Sequence, residues 1–136
     1  ELTGEIPEHA YALADSEGMK KVFRNFLTNA IRYSPKGAKL TVCFQENGFS
    51  LENEGTSIPE EALPKLFEAF YRVEDSRNRK SGGSGLGLYI VRMILDAHEA
   101  AYGAENTTGG VRFWFRLKEN HTQFTHTLSE TPIKTR

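Results

Sequence analysis

The sequence predicts a two-layer α/β (α+β) domain, with helices on one face of a mixed sheet. Its 136 residues are the size of one domain, and 38% of them are hydrophobic, enough for a packed core. Two long stretches carry apolar residues at helical spacing, and other segments alternate apolar and polar residues as strands do. The predicted order is strand, helix, hairpin, short helix, loop, helix and a hairpin-like end.

The composition excludes several classes of function. With 17 basic and 18 acidic side chains the formal net charge is -1, so we expect no broad basic surface for nucleic acid or for a membrane. No segment has the roughly 18 apolar residues of a membrane span, and the start lacks the layout of a signal peptide. The single cysteine, Cys43, lies in the run LTVCF, which favours a small buried side chain over a reactive thiol. We therefore expect a soluble domain from a reducing compartment.

The first elements have clear local signals. A short strand is predicted at about residues 10–14, followed by Asp15 and Ser16, which are suited to cap a helix. The helix that follows has one apolar stripe with spacings of three and four residues: Met19, Val22, Phe23, Phe26, Leu27, Ala30 and Ile31. Pro35 and Gly37 end this helix.

A hairpin and a short helix come next. Residues 39–44 and 49–53 read as two strands around the turn Glu46-Asn47-Gly48, and its Asn-Gly dipeptide is typical of hairpins. Pro59 is predicted to open a short helix, because proline is tolerated in a first turn.

The second half contains a loop, a helix and a strand. Residues 74–84 are polar, charged and glycine-rich, which predicts a mobile loop. A helix is predicted from Gly85, and because GLGLYIVRMILDAH is apolar nearly all round, we expect it to be deeply buried. Residues 111–117 alternate as a half-buried strand.

Two asparagines on the first helix are candidates for a binding site. Asn25 and Asn29 are four residues apart and therefore share one face, with Arg32 on the same side and Tyr33 between it and the apolar stripe. An amide oxygen can ligate Mg²⁺ when phosphates supply the charge. Ordinary polar residues beside a core face have the same spacing, so this pattern leaves both interpretations open.

The glycine-rich segment GSGLGL, Gly83 to Leu88, meets the predicted start of a helix. Glycine lets a ligand approach the backbone, and a helix start offers unpaired N–H groups to an anion such as phosphate. It is not a Walker loop, because no Gly-Lys-Ser/Thr follows, and it is not a Rossmann fingerprint, because a polar loop precedes it. A flexible loop that ends in a helix cap is the alternative.

Two further groups are weaker signals. We expect the Asn53 side chain to point from a strand end into the same cleft, where its amide could recognise an adenine amino group, although a simple turn is the alternative. Basic residues in or beside the polar loop suit phosphate oxygens, although a solvated charged loop is the alternative: Arg72, Arg77, Arg79 and Lys80.

Four segments in order resemble the ATP-binding domain of sensor histidine kinases, in the superfamily that includes gyrase B, Hsp90 and MutL ATPases. VFRNFLTNAIRYSPKG resembles the N box, LENEGTSIPEE the first glycine box, LFEAFYR the F box and GGSGLGLYIV the second glycine box. The match covers about residues 10–118. It implies a mostly antiparallel sheet covered on one face by about three helices, with a long flexible ATP lid over about residues 72–84. It also implies an ATP-binding catalytic domain over residues 1–118, followed by a tail over residues 119–136 that we expect to be disordered.

The resemblance implies roles for the matching residues. Asn29 takes the place of the Mg²⁺ ligand, and Asn25 stands where the ATPase relatives carry a glutamate that activates water. Arg72 matches the arginine that reaches the γ-phosphate, and with Asn25 it is the expected catalytic pair. The full set implied to bind ATP is Asn25, Asn29, Arg32, Tyr33, Asn53, Gly55, Ile58, Arg72, Gly83, Gly85, Leu86, Gly87 and Leu88.

The sequence departs from the family pattern at the first glycine box. That box usually reads Asp-x-Gly-x-Gly, whereas here Asn53 replaces the aspartate and Ser57 the second glycine. Asparagine lacks the charge that assists the hydrogen bond. We therefore expect nucleotide binding weakened by about 1–2 kcal/mol. The third glycine box is only loosely present, as Gly109-Gly110.

The implied activity is phosphoryl transfer from Mg·ATP to a histidine on a separate helical hairpin domain of a dimeric protein. Only one histidine, His98, precedes an acidic residue, and the residues after that pair do not match the phosphoacceptor motif; the other histidines are His9, His121 and His126. We therefore expect this chain to bind Mg·ATP without phosphorylating itself.

The resemblance also implies partners and a location. A response regulator is the expected second partner, and neither nucleic acid nor direct membrane contact is expected. The implied setting is the cytoplasmic side of a membrane-anchored bacterial receptor. Two alternatives stay open: a degenerate nucleotide- or partner-binding module without kinase activity, and a related serine kinase that acts on an anti-sigma partner.

Overall fold

The computed structural model describes residues 2–5, 14–45, 47–73 and 84–118. Its elements in chain order are the strand β1 (Leu2–Glu5), the helix α1 (Ser16–Tyr33), the strands β2 (Leu40–Gln45) and β3 (Gly48–Glu54), a 3₁₀ turn (Leu63–Lys65), the helix α2 (Gly87–Ala97), and the strands β4 (Ala101–Asn106) and β5 (Gly110–Arg116).

The five strands form one sheet in the order β1-β2-β3-β5-β4. β1 pairs with β2 in parallel, and every other pair is antiparallel. The two α-helices and the 3₁₀ turn supply the helical layer among the described residues, on one face of the sheet. The predicted two-layer α/β sandwich with a mixed, mostly antiparallel sheet is confirmed.

The boundaries of α1 follow the predicted signals. The Asp15 carboxylate accepts a hydrogen bond from the Gly18 N–H at 2.8 Å, which satisfies one of the N–H groups left open at a helix start. At the other end the Ser34 N–H donates to the Ile31 carbonyl, and Gly37 then takes a φ of 85° that favours glycine. The sequence therefore sets both ends of the helix.

The core lies between α1, α2 and the inner face of the sheet. Val22, Phe26 and Ala30 on α1 are fully buried, and the Phe26 ring lies 5.7 Å from the ring of Phe113 on β5. The inward residues of β5 are Val111, Phe113 and Phe115, as the predicted alternation requires. Two other residues of the predicted stripe, Leu27 and Ile31, lie exposed at its edge.

Cys43 lies on the outer face of the sheet and not, as expected, in the core. The cysteine is exposed, whereas its neighbours Val42 and Phe44 are partly buried against the core. Because successive side chains of a strand point to opposite faces, the two apolar neighbours direct Cys43 outward. The expectation of a buried cysteine was wrong.

The segment after Pro59 also differs from its prediction. A turn closes from the Ala62 N–H to the Pro59 carbonyl at 2.8 Å, and a 3₁₀ turn follows over Leu63–Lys65 instead of an α-helix. Pro64 has no N–H to donate to the carbonyl four residues before it, so an α-helix starting at Pro59 would lose that bond.

The second helix starts later and is less buried than predicted. It begins at Gly87, because Gly85 has a φ of 72°, outside the helical region. Leu88, Val91 and Leu95 are buried, but Ile90 is 40% and Met93 is 55% exposed. In a two-layer fold only one side of a helix meets the sheet, so the apolar residues on its other side face outward.

Several predicted segments fall outside the described residues. They are most of the predicted strand over 10–14, nearly all of the loop over 74–84, and the tail over 119–136. Of the first two segments only Ala14 and Ser84 are described, and Ala14 is not in a strand. The strand β1 was not predicted, and β4 is the first strand of the predicted hairpin-like end. Among the described residues, no helix has both the length and the apolar character to cross a bilayer.

Candidate functional site

A cavity of about 170 Å³ lies where α1, the segment after β3 and the start of α2 meet. Its lining residues are Asn25, Thr28, Asn29, Arg32, Tyr33, Ile58, Leu66, Tyr71, Arg72, Val73, Ser84, Gly85, Gly87, Leu88 and Phe113. We call it the cleft. It brings together segments that are more than 80 residues apart in the chain, which only the packed fold can do.

Most of the site residues predicted from the sequence meet in this cleft. They are Asn25, Asn29, Arg32, Tyr33, Ile58, Arg72, Gly85, Gly87 and Leu88. Asn53, Gly55 and Leu86 do not line it, and Gly83 lies outside the described residues.

Backbone carbonyls of α1 orient both asparagines. The Asn25 Nδ2 donates to the Lys21 carbonyl, and the Asn29 Nδ2 donates to the Asn25 carbonyl, each at 2.9 Å. Because each amide nitrogen is engaged with the helix, each side chain keeps its Oδ1 as the acceptor for another partner. Amide oxygen is a ligand type that a hard cation accepts.

The start of α2 lies directly against these asparagines. A side-chain carbon added at Gly87 would lie 2.9 Å from the Asn25 Oδ1 and 3.9 Å from the Asn29 Nδ2. The cap residue Leu86 provides no side-chain hydrogen bond to the helix, and the first bond within it runs from the Ile90 N–H to the Leu86 carbonyl. The N–H groups of the first turn, with the positive end of the helix dipole, are therefore directed at the cleft.

The two charged residues among the described lining of the cleft are both basic. Arg32 stands in the last turn of α1, and Arg72 follows the segment Leu66 to Tyr71. No carboxylate is among the lining residues that the structure describes. The cleft therefore suits an anion, and the arginine guanidinium groups match the geometry of phosphate oxygens.

The structure places Asn53 differently from its prediction. Its side chain is fully buried, with 0% exposure, on the inner face of β3 beside Leu51, and it does not line the cleft. Neither of its polar side-chain atoms has a hydrogen-bond partner among the described residues. The residue opposite it on β5 is the apolar Val111. The strand pleat directs Asn53 to the inner side of the sheet, and its predicted contact with a nucleotide stays a prediction.

Gly55 joins this region to the end of α1. A side-chain carbon at Gly55 would lie 2.8 Å from the Tyr33 carbonyl and 3.5 Å from the Asn53 Nδ2. Its N–H donates to the Gly109 carbonyl at 3.0 Å. Any larger residue would push the segment after β3 away from α1, so the predicted importance of this glycine has a packing basis.

Sequence reasoning missed Asn106. Its Oδ1 accepts from the Ile58 N–H at 2.8 Å, and its Nδ2 donates to the Ile58 carbonyl at 2.7 Å and to Glu60 at 3.1 Å. This amide holds the cleft residue Ile58 from 48 positions away. No local signal reveals it, because the contact depends on the pairing of β4 with β5.

The residues with clearly shifted pKa values, Tyr102 and Arg112, lie outside the cleft. Burial raises the pKa of Tyr102 above 10.0, and its hydrogen bond to Asp96, at 2.8 Å, raises it further. The hydrogen bond from Arg112 to Glu52 raises the arginine pKa above its ordinary value, assisted by Glu105. These contacts tie α2 to β4 and brace the outer face of the sheet.

A second, shallower cavity of about 450 Å³ lies on that outer face. Its lining includes Thr41, Cys43, Glu52, Arg112 and Trp114, and none of the predicted site residues. It is larger than the cleft, but its charged lining residues are of both signs, and Arg112 is paired with Glu52 and Glu105 on the neighbouring strands. Of these two cavities, the cleft therefore has the chemistry of an anion site.

Comparison with known proteins agrees with this geometry. Residues 14–121 match the family described as Histidine kinase-, DNA gyrase B-, and HSP90-like ATPase. The chain belongs to this family. It is 38% identical over 122 residues to the sensor protein VanSB of Enterococcus faecalis, covering 87% of this chain and 27% of that protein. It is 41% identical over 118 residues to the sensor histidine kinase CusS of Escherichia coli O157:H7, covering 84% of this chain and 24% of that protein.

Solved structures of histidine kinases share the fold. A mycobacterial sensor histidine kinase, MprB, is 27% identical with a TM-score of 0.67, covering 86% of this chain and 78% of that chain. The nucleotide-free catalytic domain of histidine kinase ThkA is 32% identical with a TM-score of 0.66, covering 76% and 69% of the two chains. A complex of ThkA with the response regulator protein TrrA is 25% identical with a TM-score of 0.63, covering 85% and 32%.

These matches confirm the predicted family, the ATP-binding catalytic domain of sensor histidine kinases. The chain spans about a quarter of the length of the curated relatives it matches. The role of the family's ATP-binding domain is therefore assigned to this chain, whereas the activity of the whole parent protein is a proposal.

Proposed function

We propose that this domain binds Mg·ATP in the cleft and supplies the γ-phosphoryl group for transfer to a histidine on a separate helical hairpin domain. The observation that supports this most is the lining of the cleft. Two oriented amide oxygens, two arginines and the open start of a helix converge there without a carboxylate among the described lining residues. This is the chemistry that a polyphosphate requires.

Asn29 is the proposed metal ligand. Its amide nitrogen is engaged with the Asn25 carbonyl, so its oxygen is oriented for a cation. Phosphate oxygens and water would complete the ligand set, because Mg²⁺ in nucleotide sites keeps several waters. When bound, Mg²⁺ would neutralise charge on the phosphates and keep them in line for transfer.

The proposed catalytic residues, Asn25 and Arg72, act by position and charge. In the transfer, the bond between the γ-phosphorus and its bridging oxygen breaks, a bond from a histidine nitrogen to phosphorus forms, and ADP leaves. Arg72 would stabilise negative charge on the γ-phosphoryl oxygens, and Asn25 would orient them through its amide. Asn25 has no carboxylate to activate water, so the side reaction of ATP hydrolysis is disfavoured.

The remaining predicted residues are proposed to hold the other parts of the nucleotide. Arg32 and Tyr33 would flank the phosphates and the sugar, and Ile58 would pack on the base near Gly55 and Asn53. The glycine-rich segment would let the phosphates approach the start of α2, while two leucines anchor it in the core: Gly83, Gly85, Leu86, Gly87 and Leu88.

The cleft is smaller than most pockets that hold ligands of this size. Pockets that hold drug-sized ligands have volumes of about 300–1,000 Å³, whereas this cavity measures about 170 Å³. The proposed lid over about residues 72–84 would close over the phosphates.

The exposed apolar side of α2 is suited to contact a partner domain. Ile90 and Met93 are one helical turn apart, so they form a single apolar surface next to the start of the helix that lines the cleft. We propose that the histidine-bearing hairpin domain of the same, dimeric protein docks there. Replacing both residues with serine should abolish phosphotransfer to that domain while leaving nucleotide affinity unchanged. Loss of nucleotide binding in this variant would instead indicate damage to α2.

The setting proposed for the whole protein follows its relatives. We propose a catalytic domain over residues 1–118, a tail over 119–136 and a location on the cytoplasmic side of a membrane-anchored receptor. We propose a response regulator as the second partner. No contact of this domain with nucleic acid or with the membrane is part of the proposal.

Calorimetric titration with ADP or a non-hydrolysable ATP analogue, with and without Mg²⁺, tests the function. Asn29→Ala should weaken binding and remove most of its dependence on Mg²⁺. Gln45→Ala is the matched control, because it removes an exposed amide from the outer sheet face. Absence of binding by the wild type at millimolar nucleotide would favour a second candidate, a degenerate module that contacts partners only, which the burial of Asn53 and the departure at Ser57 would support.

A further inference from the structure

His98, directly after α2, joins the end of that helix to the start of α1. Its Nε2 lies 3.0 Å from the backbone nitrogen of Asp15, the N-cap residue of α1. Its Nδ1 lies 2.7 Å from the carbonyl of Ile94, one turn back in α2. The N–H can only donate and the carbonyl can only accept, so the neutral ring carries its proton on Nδ1 and accepts at Nε2. We call this pair of hydrogen bonds the clasp.

The clasp lies at the opposite end of α2 from the cleft. Beside it, a side-chain carbon added at Gly18 would lie 3.1 Å from the Ile94 Cγ2, so the two helices touch closely here. At the start of α2, a carbon added at Gly87 would lie 2.9 Å from the Asn25 Oδ1. The helices are therefore antiparallel, and the first and last turns of α2 each meet a different part of α1.

The position of α2 depends on such contacts. The helix has only 11 residues, and its first turn has no side-chain cap. Helices of this length are marginal in isolation, so packing must hold it. Val91, near its middle, is fully buried against the core. If the last turn were released, α2 could tilt about Val91, and its first turn would then move relative to Asn25.

We infer that His98 is a positioning residue for the nucleotide site. By accepting from the Asp15 N–H it holds α2 at the angle to α1 that directs the first-turn N–H groups at the bound phosphates. His98 is not among the described lining residues of the cleft, so it acts through the position of α2. The inference rests on the proposed function, because it concerns the phosphate end of the same site.

Two substitutions separate the acceptor from the rest of the ring. The glutamine Oε1 is as many bonds from Cα as the histidine Nε2, so His98→Gln can still accept from the Asp15 N–H. Asparagine is shorter, so His98→Asn keeps an amide near the Ile94 carbonyl but cannot reach Asp15. Lys118→Gln is the surface control, because it removes the ion pair of the neighbouring Glu99, at 3.2 Å, and leaves the clasp intact.

The test is calorimetric titration of these variants and the wild type with Mg·ADP, at a temperature where each is folded. His98→Asn should bind about fivefold more weakly than the wild type, whereas His98→Gln and Lys118→Gln should stay within about twofold of it. A residue that only stabilised the fold would lower the free energy of unfolding without changing the affinity of the folded molecules. Wild-type affinity in His98→Asn, or equal weakening in both His98 variants, overturns the inference and leaves the proposed function intact.

Hydrogen exchange of the Asp15 N–H in the wild type is an independent measurement. The clasp predicts slow exchange at this exposed residue, whereas an N–H bonded only to water exchanges fast. If His98→Asn does not fold, which a thermal melt reports, this rate decides: slow exchange supports the inference and fast exchange overturns it. Failure of the wild type to bind nucleotide overturns the proposed function, and the positioning role with it.

Discussion

The Asn106 amide binds both backbone polar groups of Ile58, accepting from its N–H at 2.8 Å and donating to its carbonyl at 2.7 Å. This contact fixes one wall of the cleft to the end of β4. The pairing of Asn106 with Val111, and of Val111 with Asn53, aligns the same strand ends beneath that wall. The sheet therefore positions the segment after β3, although that segment has no regular structure of its own from Gly55 to Pro59.

Asn106→Ala should destabilise the domain and weaken nucleotide binding. It leaves the N–H and the carbonyl of Ile58 without their partner, which costs about 1–3 kcal/mol of the free energy of unfolding. Denaturant unfolding and nucleotide titration measure the two effects. Glu60→Ala, which removes only the 3.1 Å contact to the same amide, is the control and should have a clearly smaller effect. Equal effects of the two variants would contradict the role given to Asn106.

Gly85→Ala should be more damaging than an alanine at another left-handed glycine. Gly85 has a φ of 72°, and its carbonyl accepts from the Phe70 N–H at 2.9 Å. An added side-chain carbon would lie 2.9 Å from the Phe70 backbone. Gly37 has a φ of 85° with nothing within 4 Å, so Gly37→Ala isolates the backbone strain, about 1–2 kcal/mol.

Unfolding free energies of these two variants separate strain from crowding. Gly85→Ala should lose more than Gly37→Ala and should also lose nucleotide affinity, because Gly85 lines the cleft. If Gly85→Ala is no less stable than Gly37→Ala, the contact with Phe70 does not hold these segments together.

Arg32→Gln should weaken binding of ATP but not of adenosine. Its guanidinium lines a cleft without carboxylates among the described lining residues, so its charge acts on the phosphates. Loss of one charge-assisted contact should cost about tenfold in affinity. Arg116→Gln, at the exposed end of β5, is the matched control. Equal weakening for adenosine would place Arg32 at the base instead.

Stability should fall above pH 10 partly through Tyr102. Burial and the hydrogen bond to Asp96 raise the pKa of Tyr102 above 10.0. The Tyr102 hydroxyl therefore holds its proton more tightly in the folded state than in the unfolded state. The stability that Tyr102 contributes is therefore fully present below pH 10 and is lost as the pH rises through the raised pKa.

Tyr102→Phe tests this, because it keeps the ring, whose centroid lies 5.1 Å from that of Phe67, and removes the hydroxyl. Thermal unfolding from pH 8 to 12 should show a smaller loss of stability in the variant than in the wild type. Parallel curves would mean that Tyr102 does not contribute to the alkaline loss.

The sequence predicted the elements whose signals are local. The cap at Asp15, the stripe of α1 and the alternation of β5 each lie within one segment, so their patterns are complete in the sequence. The hairpin lies where the Asn-Gly signal predicts one, with Asn47 at a φ of 58°, although Gly48 already belongs to β3 and pairs with Gln45. The boxes also predicted the cleft residues of α1 and α2, because a family motif marks them residue by residue.

The features that the sequence did not predict depend on which distant part of the chain packs against a residue. The exposure of Met93 follows from the absence of a third layer over α2 among the described residues, and the exposure of Cys43 from the uncovered outer face. Asn106 was missed because its partner is 48 residues away. The full burial of Asn53 on the inner side of β3 is likewise a tertiary feature that no local pattern records.

Backbone NMR shift mapping of the ¹⁵N-labelled domain with a Mg²⁺-bound, non-hydrolysable ATP analogue tests the central claim most directly. We predict saturable shifts at Asn25, Asn29 and Gly87, with Cys43 and Trp114 on the outer sheet face unchanged. Shifts confined to the outer face, or no shifts at millimolar nucleotide, would contradict the claim that the cleft binds ATP.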